Sequence, residues 1–181
     1  AIAMGNNTTA SSNYAVALGT GTTANGNSAF AIGNSTTASG NNSTALGNNT
    51  TASDFGSLVI GQFNSSGSSA TSAGSYNSEN TAFVIGNGTG SGNLSDAFKV
   101  MFNGDTYISS SLYLGGTAIT SSAAELNLLD GSSAGTIVNS KGVIYGASGE
   151  VNATTLQIAG TSITSTAAEL NILDGVTSTT A

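Results

Sequence analysis

The sequence predicts an all-β fold in which a parallel β-roll of 14-residue coils is followed by a β-rich fibre shaft with two short helices per chain. Two repeats support this prediction. Pentapeptides ending in glycine recur every 14 residues over the first third of the chain, and a segment of about 20 residues is duplicated at an offset of 44. Fixed periods of this kind are typical of solenoids, in which each unit depends on stacking against its neighbours.

Each 14-residue unit contains two patterned segments. The first is a pentapeptide of alternating small and large residues, present at residues 1–5, 15–19, 29–33, 43–47 and 57–61, with a further copy, AFVIG, ending at Gly86. The second is Thr-Thr-Ala, in phase at residues 8–10, 22–24, 36–38 and 50–52. Fourteen residues are too few for a helix pair but suffice for two short strands and two turns, so each unit is predicted to be a β-coil.

The alternation within the pentapeptide predicts which residues lie inside the coil, because successive side chains of a strand point to opposite faces. We expect the small residues in the narrow interior and the large ones on the outer face. The inward residues are Ala15, Ala17, Ala29 and Ala31, and the outward ones are Val16, Leu18, Phe30 and Ile32. Only another chain could cover the large residues, which predicts an oligomer about a common axis.

The repeated glycines are expected to close each strand, where the turn needs a positive φ or a close backbone approach. They are Gly19, Gly33, Gly47 and Gly61. Gly86 follows Gly61 by 25 residues instead of 28, which predicts that one coil in this interval is shortened or distorted.

The A-x-A-[LI]-G units resemble the head repeats of trimeric autotransporter adhesins. The resemblance covers residues 1–61 well and reaches Gly86 more loosely. It implies a homotrimer of left-handed parallel β-rolls and a structural, adhesive function outside the cell. We therefore define residues 1–86 as a head-like repeat domain.

The chain changes character after Gly86. Residues 87–110 form a glycine-rich junction, in which residues 98–102 and 105–108 are predicted to be strands joined by a tight Asn103-Gly104 turn. Residues 111–181 form the predicted shaft, which contains the duplication: residues 112–131 and 156–175 are identical at 14 of 20 positions.

Each copy of the duplication predicts one helix of about two turns. Ser122 with Glu125, and Thr166 with Glu169, have the spacing of capping boxes, and Gly131 and Gly175 stand where the helices would end. Two leucine pairs, each three residues apart, would pack about the same symmetry axis. These pairs are Leu126 with Leu129 and Leu170 with Leu173.

The duplicated segment, G-T-x-I-T-S-[ST]-A-A-E-L-N-x-L-D-G, resembles repeats in virion fibre proteins, most familiarly the tail fibres of marine bacteriophages. The preceding FKVMFNGDTYI is similar to fibre-shaft sequence. This second resemblance implies an extended, non-catalytic homotrimer and favours a viral source for the protein. A bacterial or archaeal cell-surface adhesin or filament is the alternative.

Composition excludes most other functions. Ser, Gly, Thr and Asn make up 99 of the 181 residues, and the chain has no His, Cys, Pro, Trp or Arg. Most catalytic bases, thiolate nucleophiles and zinc ligands are therefore missing, so we expect no enzyme activity, no catalytic residue, no metal-binding residue and no cofactor. Only Lys99 and Lys141 oppose nine carboxylates, which excludes a basic surface for nucleic acid.

The carboxylates each have a structural interpretation. Asp96 and Asp105 could pair as acid and base, but Asp is common after Asn-Gly in turns. The capping boxes account for Glu125 and Glu169, and the turns into glycine account for Asp130 and Asp174. A calcium site in residues 86–96 would have one carboxylate and lacks the G-G-x-G-x-D pattern.

An ice-binding surface is a further minor alternative, because Thr arrays on β-solenoids bind ice. The Thr residues here are adjacent rather than spaced as T-x-T, so they are expected to point to opposite faces. Eleven Asn-x-Ser/Thr sequons occur, and turn formation accounts for them. They begin at Asn6, Asn7, Asn34, Asn41, Asn42, Asn48, Asn49, Asn64, Asn87, Asn93 and Asn152.

Together these observations predict a structural and adhesive fibre segment, located outside the cell on a virion or a cell surface. Its expected partners are two further copies of itself and a host glycan or protein receptor whose contact residues the sequence does not identify. Membrane insertion is not expected, since no apolar run is long enough to span a bilayer. Ala1 falls inside a repeat, so we expect the sequence to be a window on a longer fibre.

Overall fold

A computed structural model describes residues 1–67, 70–151, 153 and 155–172. The chain divides into two compact units, Ala1–Ile119 and Thr120–Ala181. The first unit contains a β-solenoid of about four 14-residue coils, as predicted, and the two helices lie in the second unit.

The solenoid has one long and one short sheet. The long sheet has eight strands in the order β1 Ile2–Asn6, β3 Val16–Thr20, β5 Phe30–Asn34, β7 Thr44–Asn48, β9 Leu58–Gln62, β10 Thr81–Asn87, β11 Asp96–Met101 and β12 Thr106–Ile108. The short sheet has four strands in the order β2 Thr9–Ala10, β4 Thr23–Ala24, β6 Thr37–Ala38 and β8 Thr51–Ala52. Strands β1 to β10 of the long sheet are parallel and paired in register, so equivalent residues of successive coils form columns.

The interior of the roll contains only small and medium side chains. Its apolar residues, all fully buried, are Ala15, Ala17, Ala24, Ala29, Ala31, Ala38, Ala45, Ala52, Val59 and Val84. The predicted inward placement of the alanines is therefore confirmed, with Val59 and Val84 in the equivalent positions of the last two strands. The predicted outward residues Val16, Leu18, Phe30 and Ile32 all lie outside this interior. A roll with so narrow a core buries little apolar area in one chain.

The repeated glycines occupy the fourth position of their five-residue strands, rather than closing them as predicted. In each, a Cβ would overlap the carbonyl oxygen of the glycine one coil further on, as at Gly33 against Gly47. Gly33 also has a φ of 135°, which L side chains rarely adopt. Close backbone approach and positive φ therefore both require glycine here.

The coil between Gly61 and Gly86, predicted to be shortened or distorted, is distorted by lengthening rather than shortened. β10 pairs directly with β9, and Gly86 is the register partner of Gly61. The 25-residue interval is therefore one lengthened coil, whose extra residues form an insertion between the two strands. The sequence period could not show this, because the distance along the chain does not say which strands are neighbours.

The predicted strand-turn-strand after the solenoid is confirmed. β10, β11 and β12 run antiparallel, and Lys99 of β11 faces Tyr107 of β12. In the turn, Gly104 has a φ of 94° and the side chain of Asn103 accepts a hydrogen bond from the backbone N–H of Asp105. This reversal ends the parallel stacking of the coils.

Each copy of the duplication contains a hairpin of two-residue strands followed by a helix. The first copy has β13 Tyr113–Leu114, β14 Thr117–Ala118 and α1 Ala123–Asn127, and the second has β15 Gln157–Ile158, β16 Thr161–Ser162 and α2 Ala167–Asn171. Each helix has five residues, so it is shorter than the predicted two turns. Gly131, with a φ of 72°, lies in a turn beyond the C-cap Leu128. Leu173, Asp174, Gly175 and the Asn152 sequon lie outside the described residues.

Candidate functional site

The outer face of the long sheet carries two apolar columns, which we call the apolar face. One column contains Ile2, Val16, Phe30, Thr44, Leu58 and Phe83, and the other contains Met4, Leu18, Ile32, Leu46, Ile60 and Ile85. Met4 is 64% exposed and Ile2 54%, and the remaining residues of the columns are exposed or half-buried. Stacking at about 4.8 Å per strand makes the columns continuous.

The apolar face continues onto the antiparallel strands. The ring of Phe83 packs edge-on against that of Phe98, with 6.0 Å between centroids. Val100 pairs with Phe83, and Ile108 pairs with Phe98. A contiguous exposed surface of large apolar side chains is typical of an interaction site rather than of a free monomer surface.

The short sheet presents a different outer face. Thr9, Thr23, Thr37 and Thr51 form one column of outward hydroxyl side chains, one per coil. The preceding residues Thr22, Thr36 and Thr50 are fully buried. Adjacent Thr residues thus point to opposite faces, as predicted, and this face lacks the paired outward columns on which the ice-binding alternative depends.

The inward threonines carry a structural penalty. The Oγ1 atoms of Thr22, Thr36 and Thr50 are buried and have no hydrogen-bond partner. We expect Thr36→Val to raise the free energy of unfolding by about 1 kcal/mol, because it replaces an unpartnered hydroxyl with a methyl group of similar size. Urea titration measures this change. Thr37→Val, on the half-exposed neighbour, serves as the control with an expected change within about 0.5 kcal/mol. A destabilised Thr36→Val protein would contradict the interpretation.

Asp54 anchors the insertion. This carboxylate is 1% exposed, and it accepts hydrogen bonds from the backbone N–H groups of Thr71 at 2.7 Å and Thr81 at 2.8 Å. In the two preceding coils the equivalent residues are Gly26 and Gly40, where a Cβ would overlap the backbone of the next coil. No regular coil stacks on Asp54, which leaves room for its side chain.

Asn64 completes the edge of the short sheet beyond β8, the last of its strands among the described residues. Its Oδ1 accepts a hydrogen bond from the N–H of Thr51 at 2.8 Å, and its Nδ2 donates to the carbonyl of Thr51 at 2.9 Å. The side-chain amide thus makes the two bonds that a neighbouring strand would make. The sequence reasoning missed both Asn64 and Asp54, although the change from glycine to Asp54 at a repeat position was a usable signal.

Asp54→Asn replaces one carboxylate oxygen with an NH₂ group, and we expect this small change to destabilise the fold strongly. An amide supplies one acceptor oxygen, and its NH₂ group would face one of the backbone N–H groups that the carboxylate now satisfies. We expect the free energy of unfolding to fall by about 2 to 3 kcal/mol, as seen in chemical denaturation.

The control for this change is Asp105→Asn in the exposed turn. The Asp105 carboxylate accepts from the side chain of Asn103 at 3.2 Å. We expect an effect within about 0.5 kcal/mol. Equal effects at Asp54 and Asp105 would show that the buried carboxylate does not anchor the insertion.

The comparisons with known proteins bear on the coils described above. Residues 1–22 and 24–50 match the YadA head domain repeat in two copies. The N-terminal part of the chain therefore contains head repeats of the trimeric autotransporter adhesin family, as the resemblance implied. No curated protein and no solved structure matches the chain.

The YadA head repeats cover β1 to β7 and leave the rest of the chain unmatched. Such repeats are structural elements of adhesins rather than enzymes. Nothing in the comparisons supports the resemblance of the C-terminal half to virion fibres.

Outside the YadA head repeats, the structure separates the two carboxylates considered as an acid and base. Asp96 begins β11, and its oxygens accept from the N–H groups of Ser65 and Ser66. Asp105 lies in the turn beyond the other end of that strand, roughly 16 Å away at the usual rise per residue. The two therefore do not form a catalytic pair.

Metal binding has equally little support in the described part of the chain. There, no group of three or more acidic, His or Cys side chains could hold an ion. In the stretch considered for calcium, both oxygens of Asp96 are engaged by backbone N–H groups. The helices of the described residues are all too short or too polar to cross a bilayer.

Both predicted capping boxes are present. Hydrogen bonds from the hydroxyl and the backbone N–H of Ser122 lower the pKa of Glu125, and those from the backbone N–H and the hydroxyl of Thr166 lower the pKa of Glu169. Both carboxylates are fully exposed, so solvent screens these interactions. Asp130 is exposed in the turn after α1, with no further role visible.

The lowered pKa values predict a pH dependence of the helix caps. A carboxyl whose pKa is lowered on folding stabilises the fold above its ordinary value of 4.5, and this contribution disappears as the pH falls through the folded pKa. We expect the Cδ resonances of Glu125 and Glu169 to titrate below pH 4.5 by NMR. Ser122→Ala should return Glu125 toward its ordinary pKa and leave Glu169 unchanged. Titration of both at the ordinary value in the unmodified protein would contradict the caps.

Proposed function

We propose that this chain is a structural, adhesive segment of a homotrimeric extracellular fibre. The observation that carries the proposal is the apolar face, since large side chains stacked over six parallel strands need a cover that one chain does not provide. The match to YadA head repeats supports three copies as that cover, because heads of this type are homotrimeric.

The distribution of burial supports the same conclusion for the rest of the chain. Among the described residues beyond Gly88, none is buried. In the second unit, Leu126, Leu129 and Leu170 are between 40% and 53% exposed, and Ile172 is 72% exposed. Short helices with exposed leucines are not stable alone in water, so partner copies must supply their packing.

Two biological sources are compatible with such a fibre. The YadA head repeats favour a cell-surface trimeric adhesin. The duplicated Ala-Ala-Glu-Leu-Asn segment, which resembles virion fibre repeats, favours a phage tail fibre as the second candidate. In both cases the rod would present polar side chains to a host or neighbouring surface, and the domains defined from the sequence would be its head, junction and shaft.

The mass of the native assembly tests the proposal. Native mass spectrometry or light scattering on the 17.5 kDa chain should give the mass of three copies. A folded monomer would contradict it, because the apolar face would then be stable in water without a partner.

A further inference from the structure

A cleft lies where the insertion meets the hairpin of β11 and β12. It has a volume of about 400 Å³, and its walls include Leu94, Asp96, Lys99, Tyr107 and Ile108, with Ser65, Ser95 and Ser109 supplying hydroxyl groups. All of these residues belong to one chain and to the first unit. The cleft therefore exists without any contribution from a partner copy.

The strand register places Lys99 and Tyr107 on the side of the sheet opposite the apolar face, whereas Ile108, which pairs with Phe98, lies at the edge of that face. Lys99 pairs with Val84, which points into the roll, and with Tyr107 on the other side. Its neighbours Phe98 and Val100 pair with Ile85 and Phe83 of the apolar face. Because side chains alternate along a strand, assembly through the apolar face leaves Lys99 and Tyr107 uncovered.

The charge in the cleft is unusual for this chain. Lys99 is one of two cationic side chains in a protein of net charge −7. Its Nζ atom lies 4.1 Å from the centroid of the Tyr107 ring, and no described carboxylate forms an ion pair with it. Asp96, which also lines the cleft, directs both oxygens to the backbone N–H groups of Ser65 and Ser66 at 2.9 and 2.8 Å. The ammonium group of Lys99 is therefore available to pair with an anionic ligand.

Lys99 and Tyr107 are also directly opposed across two strands, and such a pair stabilises a hairpin. That role accounts for their contact. It does not account for the surrounding cleft, in which Tyr107 is 50% and Leu94 47% exposed. Beside the Asp96 carboxylate, which is held by backbone N–H groups, the cleft offers an aromatic ring, the apolar side chain of Leu94, serine hydroxyls and one ammonium group. These groups match a ligand that has a ring with apolar faces, hydroxyl groups and one negative charge.

We propose that this cleft binds an acidic saccharide, with the sugar carboxylate on Lys99 and the sugar ring against Tyr107. The inference rests on the adhesive function proposed above and identifies the class of surface molecule that the fibre contacts. A polyanion such as nucleic acid would need several cations, and an apolar ligand would desolvate the ammonium group without pairing it. A carboxylated sugar supplies an anion for the ammonium group and hydroxyl groups that can exchange hydrogen bonds with the polar side chains of the lining.

The test compares two monosaccharides that differ only at C6. Glucuronate and glucose are titrated separately into the purified full chain, and binding is followed by saturation-transfer NMR. We expect glucuronate to bind and glucose to bind about tenfold more weakly, because glucose lacks the partner of Lys99. Lys99→Gln should weaken glucuronate binding by a similar factor, whereas Lys99→Arg should retain most of it.

Lys141→Gln is the matched control, since it removes the same charge from the other lysine. It should leave glucuronate binding unchanged. Three outcomes would each overturn the proposal. The two sugars would bind equally well, Lys99→Gln and Lys141→Gln would weaken binding equally, or inorganic phosphate would bind as tightly as glucuronate. The native mass of each variant is measured in the same samples. A wild-type monomer that still binds glucuronate would contradict the trimeric fibre and support the saccharide site. A trimer that does not bind glucuronate would support the trimeric fibre and contradict the saccharide site.

Discussion

Ile32→Asp is expected to abolish the proposed trimer. Ile32 lies at the centre of the apolar face, between Leu18 and Leu46 in the register of the sheet. Three copies would bring three carboxylates into an apolar interface, where each loses its hydration without gaining a partner. We expect this change to destabilise the assembly by about 5 kcal/mol or more, or roughly a thousandfold or more in the association constant. Native mass spectrometry at fixed concentration measures the loss.

Thr37→Asp is the matched control in the same coil. Thr37 faces outward from the short sheet, in a column of hydroxyl side chains. The same carboxylate should remain hydrated there, so the mass of three copies should persist. Far-ultraviolet circular dichroism should show that Ile32→Asp loses its β signal at a lower urea concentration than Thr37→Asp, because the apolar face of the separated chains has no cover. If Ile32→Asp remained trimeric, the apolar face would not be the interface between copies.

Gly33→Ala is expected to have the largest effect on the stability of a single chain. Its Cβ would overlap the carbonyl oxygen of Gly47, which belongs to a backbone held on both sides by the parallel sheet. Its φ of 135° is also unfavourable for alanine. We expect the free energy of unfolding to fall by more than about 4 kcal/mol, because neither strand can move without breaking the stack. Chemical denaturation or failure to recover folded protein would report it.

Three other glycines separate the two causes. Gly40→Ala introduces an overlap with the backbone of Asp54 at an ordinary φ, and it should remain strongly destabilising. Gly104→Ala has open space but a φ of 94°, so a loss of about 1 kcal/mol is expected. Gly74→Ala has neither constraint and should change stability by less than about 0.5 kcal/mol. If the alanine variants of Gly33 and Gly104 lost similar amounts of unfolding free energy, φ, and not the close approach of the coils, would be the reason that glycine is required.

Features that depend on short-range periodicity could be predicted from the residues alone. Alternation along a strand predicted that Ala17 lies inside and Leu18 outside, and the spacing of Ser122 and Glu125 predicted a capping box. Both follow from the geometry of neighbouring residues, which changes little with the surroundings. The same reasoning predicted the turn at Asn103-Gly104 and the opposite orientation of adjacent threonines.

The residues at the end of the roll, in contrast, could not be predicted without knowing which strands are neighbours. Because β10 lies directly beside β9, the insertion is brought over β8, where Asp54 meets the N–H of Thr81, 27 residues away. Hydrogen bonds of this kind connect residues that no pattern of neighbouring positions in the sequence relates. The same is true of the residues that line the cleft around Lys99. They depend on which strands are neighbours, and this is set by the free energy of pairing and burial over the whole unit rather than by the spacing of residues along the chain.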